Sequence, residues 1–402
     1  MFRFAIYIFV LLLPLLSYAK EKICLNMIVK NESQVIQRCL ESVKPLIDYW
    51  VIVDTGSTDG TQEIISEFMK DIPGELHERP WVNFAHNRNE ALELAKDKSD
   101  YMLFIDADDV LKYSDSFSKP TLDKDHYHLT IHYSGTTYAR TQLVKSSLDW
   151  KWVGVVHEVV ICPEAVTMDV LANVSMEIVG GGDRSQDTQK FLKDALLLEK
   201  EVKNNPKETR TVFYLAQSYR DGDMLEKAIA TYQKRVDMGG WDQEVFWSLY
   251  QIGLLNEALG KSEEKIAKSY SDAFVYRPAR AEPLYRLSNY YRRQGNYLLG
   301  YLTANFGLTI EPPEDLLFLE SWIYDYGLRL ESSICAYWLG HYEEALEESH
   351  ELLSQIDLPL NVRECVTNNI GFSESRLAER ARFMNPPPLD HTHEACSGEF
   401  EH

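Results

Sequence analysis

Basic residues are scarce in this chain. Its 402 residues hold 41 Lys and Arg against 62 Asp and Glu, a formal net charge of −21. A surface of that sign repels phosphodiester backbones and anionic headgroups, so nucleic acid is excluded as a bulk electrostatic partner. An anionic ligand needs a local cation or a helix N-terminus to hold it. Cysteine is also sparse: six residues, at 24, 39, 162, 335, 365 and 396, with no C-x-x-C pair and no zinc spacing. Unpaired thiols in a largely reduced protein are expected. No G-x-G-x-x-G follows a strand-like run and no G-x-x-x-x-G-K-[ST] occurs. Both absences count against a dinucleotide fold and a P-loop. The Asp cluster at 106–109 lacks the Gly and the distal Glu of an EF-hand loop.

Apolar runs approaching membrane length are missing outside the first twenty residues, MFRFAIYIFVLLLPLLSYAK. Arg3 is a positive start, Ala5–Leu16 a short apolar core, and Ser17-Tyr18-Ala19 a small-x-small cleavage pattern. The run is short for a comfortable span. Residues 1–19 are therefore expected to be a signal peptide cleaved after Ala19, with an uncleaved N-terminal anchor as the alternative. The tail at 384–402 is proline-led and polar, and is expected to be disordered. His391, His393 and Cys396 sit there without the surroundings a metal site needs.

What is present is alternation of strand and helix. Ile23–Val29 read as a strand, and SQVIQRCLESVKPLI carries apolar residues at helical spacing. A strand at 50–53 and a helix from about 60 follow, then the helical FAHNRNEALELAKDKS and the strand YMLFIDADD. Strand–loop–helix repeated in this way predicts a parallel α/β sheet, where ligands gather at the carboxyl ends of the strands. The polar clusters fall at that edge: Lys30-Asn31-Glu32, Asp54-Thr55-Gly56 and Asp106-Ala107-Asp108. From about 126 the pattern turns β-rich. HYHLTIHY alternates, placing His126, His128 and His132 on one half-exposed face, and WKWVGVVHEVVI reads as a further strand. VGGGDRS, 179–185, reads as a flexible turn.

The remainder is helical and repetitive. Leu215, Ala216, Tyr219, Ala228 and Tyr232 share a frame with Leu287, Ser288, Tyr291, Gly300 and Ala304. Ala216 to Ser288 (288 − 216) and Ala228 to Gly300 (300 − 228) both span 72 residues, two repeats of about 36, near the period of about 34 of a two-helix repeat. Two looser copies begin near Val245 and Ser332. Most of the aromatic residues here (Trp241, Trp247, Tyr290, Tyr291, Trp322 and Trp338 among them) are expected to pack between helices.

Three carboxylates within four positions, Asp106, Asp108 and Asp109, repel one another. Solvation or a positive partner must relieve them, and a divalent cation suits clustered carboxylate oxygen. Asp54 can accept hydrogen bonds from a base or ribose. These parts suit a nucleotide diphosphate.

Taken in order, LNMIVKNE, WVIVDTGSTDGT, FAHNRNEALELA, FIDADD and WKWVGVVHE resemble a family 2 glycosyltransferase with the GT-A fold. The helical half resembles tetratricopeptide repeats. The resemblance implies an α/β GT-A domain over 20–205 and an all-α tetratricopeptide-like domain over 206–383. It implies an inverting, metal-dependent transferase that uses a nucleotide-sugar donor, of which a UDP-sugar is the expected kind. Glu32 and Asp54 would contact base and ribose, Arg88 and Asn89 would frame the nucleotide pocket, and Asp106 and Asp108 would hold Mn²⁺ or Mg²⁺. His157 would complete the metal site and Glu158 would serve as general base. Where relatives carry another His near 180, this chain has Gly180-Gly181-Gly182. The repeats would present a protein, peptide or glycan acceptor, and an inactive repeat scaffold for protein–protein interaction is the alternative. Residues 1–19 would place the chain in a secretory pathway or on a membrane, with the cytoplasmic face as the other location. In the former case Asn173-Val174-Ser175 is a glycosylation sequon.

Overall fold

An almost unbroken apolar run, ICLNMIV, makes β1 (Ile23–Val29) a strand buried on both faces, as interior parallel strands are. It is followed by α1 (Ile36–Val43), whose Ile36, Cys39, Leu40 and Val43 form one buried stripe. Next come β2 (Tyr49–Asp54), α2 (Thr61–Phe68), β3 (Gly74–Glu78), α3 (Phe84–Ala95) and β4 (Tyr101–Phe104). β1 pairs in parallel with β2 and β4, and β2 with β3. Asn26, buried in mid-strand, donates from Nδ2 to the Ala91 carbonyl at 2.7 Å, which ties α3 to the sheet.

The sheet then becomes mixed. β5 (Asp109–Tyr113), β6 (His126–Tyr133), β7 (Thr136–Lys145) and β10 (Met168–Ile178) complete eight strands in the order β3-β2-β1-β4-β7-β6-β10-β5. β4 and β7 run antiparallel, as do β5 and β10. The segment WKWVGVVHEVVI is not one strand. It forms a separate hairpin, β8 (Lys151–Val153) with β9 (Val159–Ile161), turning through 154–158. Gly154 (φ 109°) and His157 (φ 54°) both adopt left-handed backbone there, and no strand can run through such residues. The computed structural model describes residues 20–384. The leader, Cys396 and the tail histidines lie outside the described residues.

The chain divides into two units. The first comprises residues up to His132 with Ala139–Lys190, and the second Tyr133–Tyr138 with the residues from Phe191 onward. After α4 (Lys190–Asn204), the second unit is built of antiparallel helix pairs. These are α5 (Thr209–Asp221) with α6 (Leu225–Met238), α7 (Asp242–Ala258) with α8 (Glu263–Tyr276), α9 (Glu282–Arg293) with α10 (Tyr297–Gly307), and α11 (Leu328–Leu339) with α12 (Tyr342–Ser354). A long α13 (Leu360–Met384) packs on α12.

The residues of the repeat frame are the contact points. Ala216, Ala228, Ser288 and Ala304 are buried, and Ser288 Oγ donates to the Gly300 carbonyl at 2.7 Å. A Cβ on Gly300 would stand 2.8 Å from Cys335 Sγ. The aromatic residues divide: Trp247 and Tyr290 are buried, Tyr291 and Trp322 half-buried, Trp241 and Trp338 exposed. Cys24, Cys39, Cys162 and Cys335 are buried free thiols and Cys365 is an exposed one. Among the described residues no helix is long and apolar enough to cross a membrane.

Gly253 on α7 makes one close helix approach testable. A Cβ there would lie 2.6 Å from the ring of Tyr270, which is itself fully buried and bonded through its hydroxyl to Glu257. Gly253→Ala gains helix propensity of under about 1 kcal/mol but overpacks a fixed ring at about 1–3 kcal/mol. The expected result is a lower urea midpoint for the full chain.

Candidate functional site at the carboxyl edge of the sheet

The loops after β1 and β2 are laced together before any ligand is considered. Asn31, in left-handed backbone, accepts from Thr58 N through Oδ1 at 2.9 Å, and its own N–H donates to Ser57 Oγ at 2.9 Å. Glu32 N donates to Thr61 Oγ1 at 2.8 Å and Ser33 N to Asp59 Oδ2 at 3.0 Å. Partial burial raises the Asp59 pKa, but donors from Thr61 and Ser33 outweigh that and bring it to about 2. Asp54 ends β2 wholly buried. Its Oδ1 accepts from Gly56 N and Ser57 N, both at 2.8 Å, while Oδ2 is buried with no partner. Glu32 Oε2 is a second buried acceptor with no partner.

The acidic turn after β4 has its positive partners in the protein. Arg88, on α3, donates from Nη2 to Asp106 Oδ1 at 2.5 Å and from Nε to Glu158 Oε1 at 2.6 Å. The Arg88 and Glu158 side chains are 12% and 9% exposed, and Asp106 39%. Burial raises the Asp106 pKa, but Arg88 first, then Arg140 and Arg184, hold it below the ordinary carboxylate value. Arg140 Nη2 lies 3.9 Å from Asp106 Oδ2. Asp109, at the start of β5, is 3% exposed and pushed up to about 8, first by burial and then by Asp106. The Arg88 guanidinium also lies over the Trp152 ring, 4.9 Å from its centroid.

The glycines at 180–182 enter the site. Gly182 N donates to Asp108 Oδ2 at 3.3 Å. A Cβ on Gly182 would meet Glu32 Oε2 at 2.9 Å and Asp108 Oδ2 at 3.0 Å. Position 182 is therefore glycine because a side chain would fill the space between two carboxylates, while Gly180 and Gly181 adopt left-handed backbone at φ 73° and 92°.

Of the residues singled out from the sequence, Arg88, Asp106 and Glu158 meet in one ion-paired group, and Glu32 and Asp108 converge on Gly182. Asn89 is engaged elsewhere: its Nδ2 donates to the Trp152 carbonyl and its Oδ1 accepts from Trp152 N, both at 2.9 Å, which pins β8 to α3. His157 is exposed at the tip of the 154–158 turn. Among the described residues no group of three or more His, Cys, Asp or Glu is arranged as a metal site. The oxygens that are present nevertheless suit a hard cation, since the Asp108 carboxylate borders a space at Gly182 that a Cβ would fill and Asp106 stands two residues away on the same turn. Arg38, Arg140, Arg184 and Gly182 were not legible as site residues. Each lies in a segment whose local pattern reads only as helix, strand or turn. His126 and His128 face each other on β6 with ring centroids 5.5 Å apart, and burial lowers the pKa of both.

Comparison with known proteins places this edge in a family context. Residues 24–117 match the family model described as glycosyl transferase family 2. A TPR repeat-containing protein of Synechococcus elongatus is 36% identical over 97 residues, covering 24% of this chain and 23% of the relative. The SPbeta prophage-derived glycosyltransferase SunS of Bacillus subtilis is 38% identical over 86 residues, covering 21% and 19%. An uncharacterized glycosyltransferase of Rickettsia felis is 32% identical over 112 residues, covering 28% and 35%. The chain thus spans between about a fifth and about a third of these relatives' lengths. Among solved structures, a tetratricopeptide repeat protein from Parabacteroides merdae aligns with a TM-score of 0.36 at 17% identity, covering 50% of this chain and 76% of that one. MamA aligns at 0.33 and 14%, covering 50% and 98%. The fold is a mixed-sheet α/β domain of GT-A type followed by tetratricopeptide-like helices.

The strained carboxylates give the site a measurable pH dependence. Burial first, then Asp108, Asp183 and Asp59, push Glu32 from 4.5 to about 7, against a backbone N–H from Asp183. Below pH 4.5 the group is protonated folded or unfolded and has no effect. As pH rises from 4.5 through 7 only the unfolded chain ionises freely, so stability falls, and the loss is complete above 7. Glu32→Gln is expected to raise unfolding free energy at pH 8 by about 1–3 kcal/mol. The gain should shrink towards zero near pH 4.5, as read by denaturation in EDTA.

Proposed function

We propose that this chain is an inverting glycosyltransferase. It moves a sugar from a nucleotide-diphosphate donor, a UDP-sugar first among the candidates, to a hydroxyl of a protein, peptide or glycan acceptor presented by the helical unit. The observation that carries the reading is the pair of buried acceptors without donors, Asp54 Oδ2 and Glu32 Oε2, at neighbouring strand tips. A buried carboxylate oxygen left unpaired costs roughly 1–3 kcal/mol or more. N–H and O–H groups of a base and a ribose would relieve that cost. The family match over 24–117 supports glycosyl transfer in general.

Each remaining residue has a role in the proposal. Asp106 and Asp108 would hold Mn²⁺ or Mg²⁺. Bound there, the cation would neutralise the diphosphate and ease its departure. Arg88 and Arg140 supply fixed positive charge along the same edge, preorganised before donor arrives. Glu158 is the carboxylate proposed to take the acceptor's proton. Its bond to Arg88 fixes its position at the edge, so the acceptor hydroxyl must reach it there. Exposed His157 stays as the proposed third cation ligand. Residues 1–19 are proposed to direct the chain to a secretory pathway or hold it at a membrane.

A second reading has one observation in its favour. Arg88 already neutralises Asp106, so the acidic turn is satisfied without a cation. On that reading the chain is an inactive transferase-like scaffold whose helices bind a protein. Calorimetric titration with UDP-glucose and UDP-N-acetylglucosamine separates the two. Binding that requires Mn²⁺ supports the transferase, and no binding with or without Mn²⁺ supports the scaffold.

The direct test is a donor screen of the purified chain with Mn²⁺ and a panel of nucleotide sugars, read by release of nucleoside diphosphate. At least one donor is expected to turn over, and Asp108→Ala is expected to abolish that turnover while the fold stays intact by circular dichroism. Wild-type turnover by Asp108→Ala would remove Asp108 from the site.

A further inference from the structure

The acidic turn is held from beneath by one helix. α1 makes a side-chain or backbone bond to four successive parts of the segment 106–113. Cys39 Sγ donates to the Asp106 carbonyl at 3.4 Å, and Arg38 Nη2 donates to the Asp108 carbonyl at 2.9 Å. Leu111 N donates to Ser42 Oγ at 3.0 Å, and the Tyr113 hydroxyl to the Ser42 carbonyl at 2.6 Å. Arg38 does one thing more. The same Nη2 also donates to the Gly180 carbonyl. A single nitrogen thus bridges two backbone carbonyls 72 residues apart in sequence (180 − 108).

We propose that Arg38 is a positioning residue that locks the 106–109 turn to the 180–182 glycine loop and so sets where the Asp108 carboxylate stands. The inference rests on reading Asp108 as a cation-binding side chain. Two carbonyl oxygens that share one donor repel each other once it is removed, and each becomes an unsatisfied acceptor. The Asp108 carboxylate is fixed at its other end by Gly182 N, two residues beyond Gly180. Turn and loop therefore brace each other through both the main chain and the side chain of Asp108. Arg38 Nε is buried with no partner, so the guanidinium is held by its Nη2 bonds at the expense of one unpaired N–H. A group acting only as a surface charge would be solvated instead. Arg38 touches none of the groups proposed to react, so its effect reaches the chemistry through Asp108.

The test compares Arg38→Met and Arg38→Lys with wild type in the full chain, first by amide hydrogen exchange without ligand. Arg38→Met is expected to accelerate exchange about tenfold or more in peptides covering both 106–113 and 179–186, with β1 and β2 unchanged. Lysine, one bond shorter but able to donate to both carbonyls, is expected to fall between, and it carries the test alone should the methionine variant not fold. Acceleration in only one of the two segments, in neither, or throughout the unit overturns the proposal. Where wild type turns over a donor, Arg38→Met is expected to lower kcat about tenfold or more, because sub-ångström misplacement acts on the reacting geometry. KM for the donor should stay within about threefold. A rise in KM with unchanged kcat overturns the positioning role. Should wild type turn over no donor, the transferase reading fails, and the exchange pattern still decides whether Arg38 couples the two loops.

Discussion

Parallel strands that deliver carboxylates to one edge create a charge problem that the sheet itself cannot solve. Here the solution is a set of arginines brought in from elsewhere in the fold. Arg88 from α3 takes Asp106 and Glu158 together, Arg140 from β7 stands behind Asp106, and Arg38 from α1 holds the backbone of the same turn. Removing any one of them leaves a partly buried carboxylate or carbonyl without its counterpart, which is a larger penalty than the intact pair's net contribution. The site is thus stable without ligand, and still carries unpaired acceptors on Asp54 and Glu32 that a ligand can satisfy.

Of those two oxygens, Glu32 Oε2 borders the glycine loop beside Asp108, where a Gly182 Cβ would meet it. Asp54 ends β2 and Glu32 sits on the loop after β1, and the loops after these two strands are cross-linked through Asn31, Ser57, Asp59 and Thr61. The rigid lacing fixes the acceptors before binding, so the ordering cost is met during folding and not during association. The helical unit follows a separate logic. Its buried small residues let helices approach, and its buried aromatics fill the space between neighbours, as Gly253 against Tyr270 shows.

Much of this was legible in the sequence because period is a direct consequence of burial. β1, β2, β4 and α1 follow from apolar spacing, and the repeat frame follows from Ala216, Ala228, Ser288 and Gly300, small where helices cross. β3 was not legible. GELHE has no apolar alternation, since it is an edge strand whose Glu75 pairs with Lys98 and Tyr49. Its Gly74 is required because a Cβ would lie 2.2 Å from the Trp50 ring, a constraint set by a residue 24 positions away (74 − 50). The 150–161 segment read as one strand because Val and Trp dominate it, and the left-handed backbone at Gly154 and His157 that turns it carries no strong local mark. At the site, Glu32, Asp54 and the Asp106–Asp108 pair were visible as carboxylates at strand ends. Arg88 was named through the family resemblance, but Arg38 and Arg140 were not visible, because what makes them site residues is long-range contact: Arg38 with Gly180, Arg140 with Asp106.

The most direct measurement is anomalous diffraction from crystals of the full chain grown with Mn²⁺ and UDP. The expected result is a manganese peak within about 2.5 Å of a carboxylate oxygen of Asp108 or Asp106, with the nucleotide donating to Asp54 Oδ2. The contrary result is UDP bound away from the tips of β1 and β2, or these carboxylates still paired with Arg88 and Gly182 and without manganese at saturating ligand.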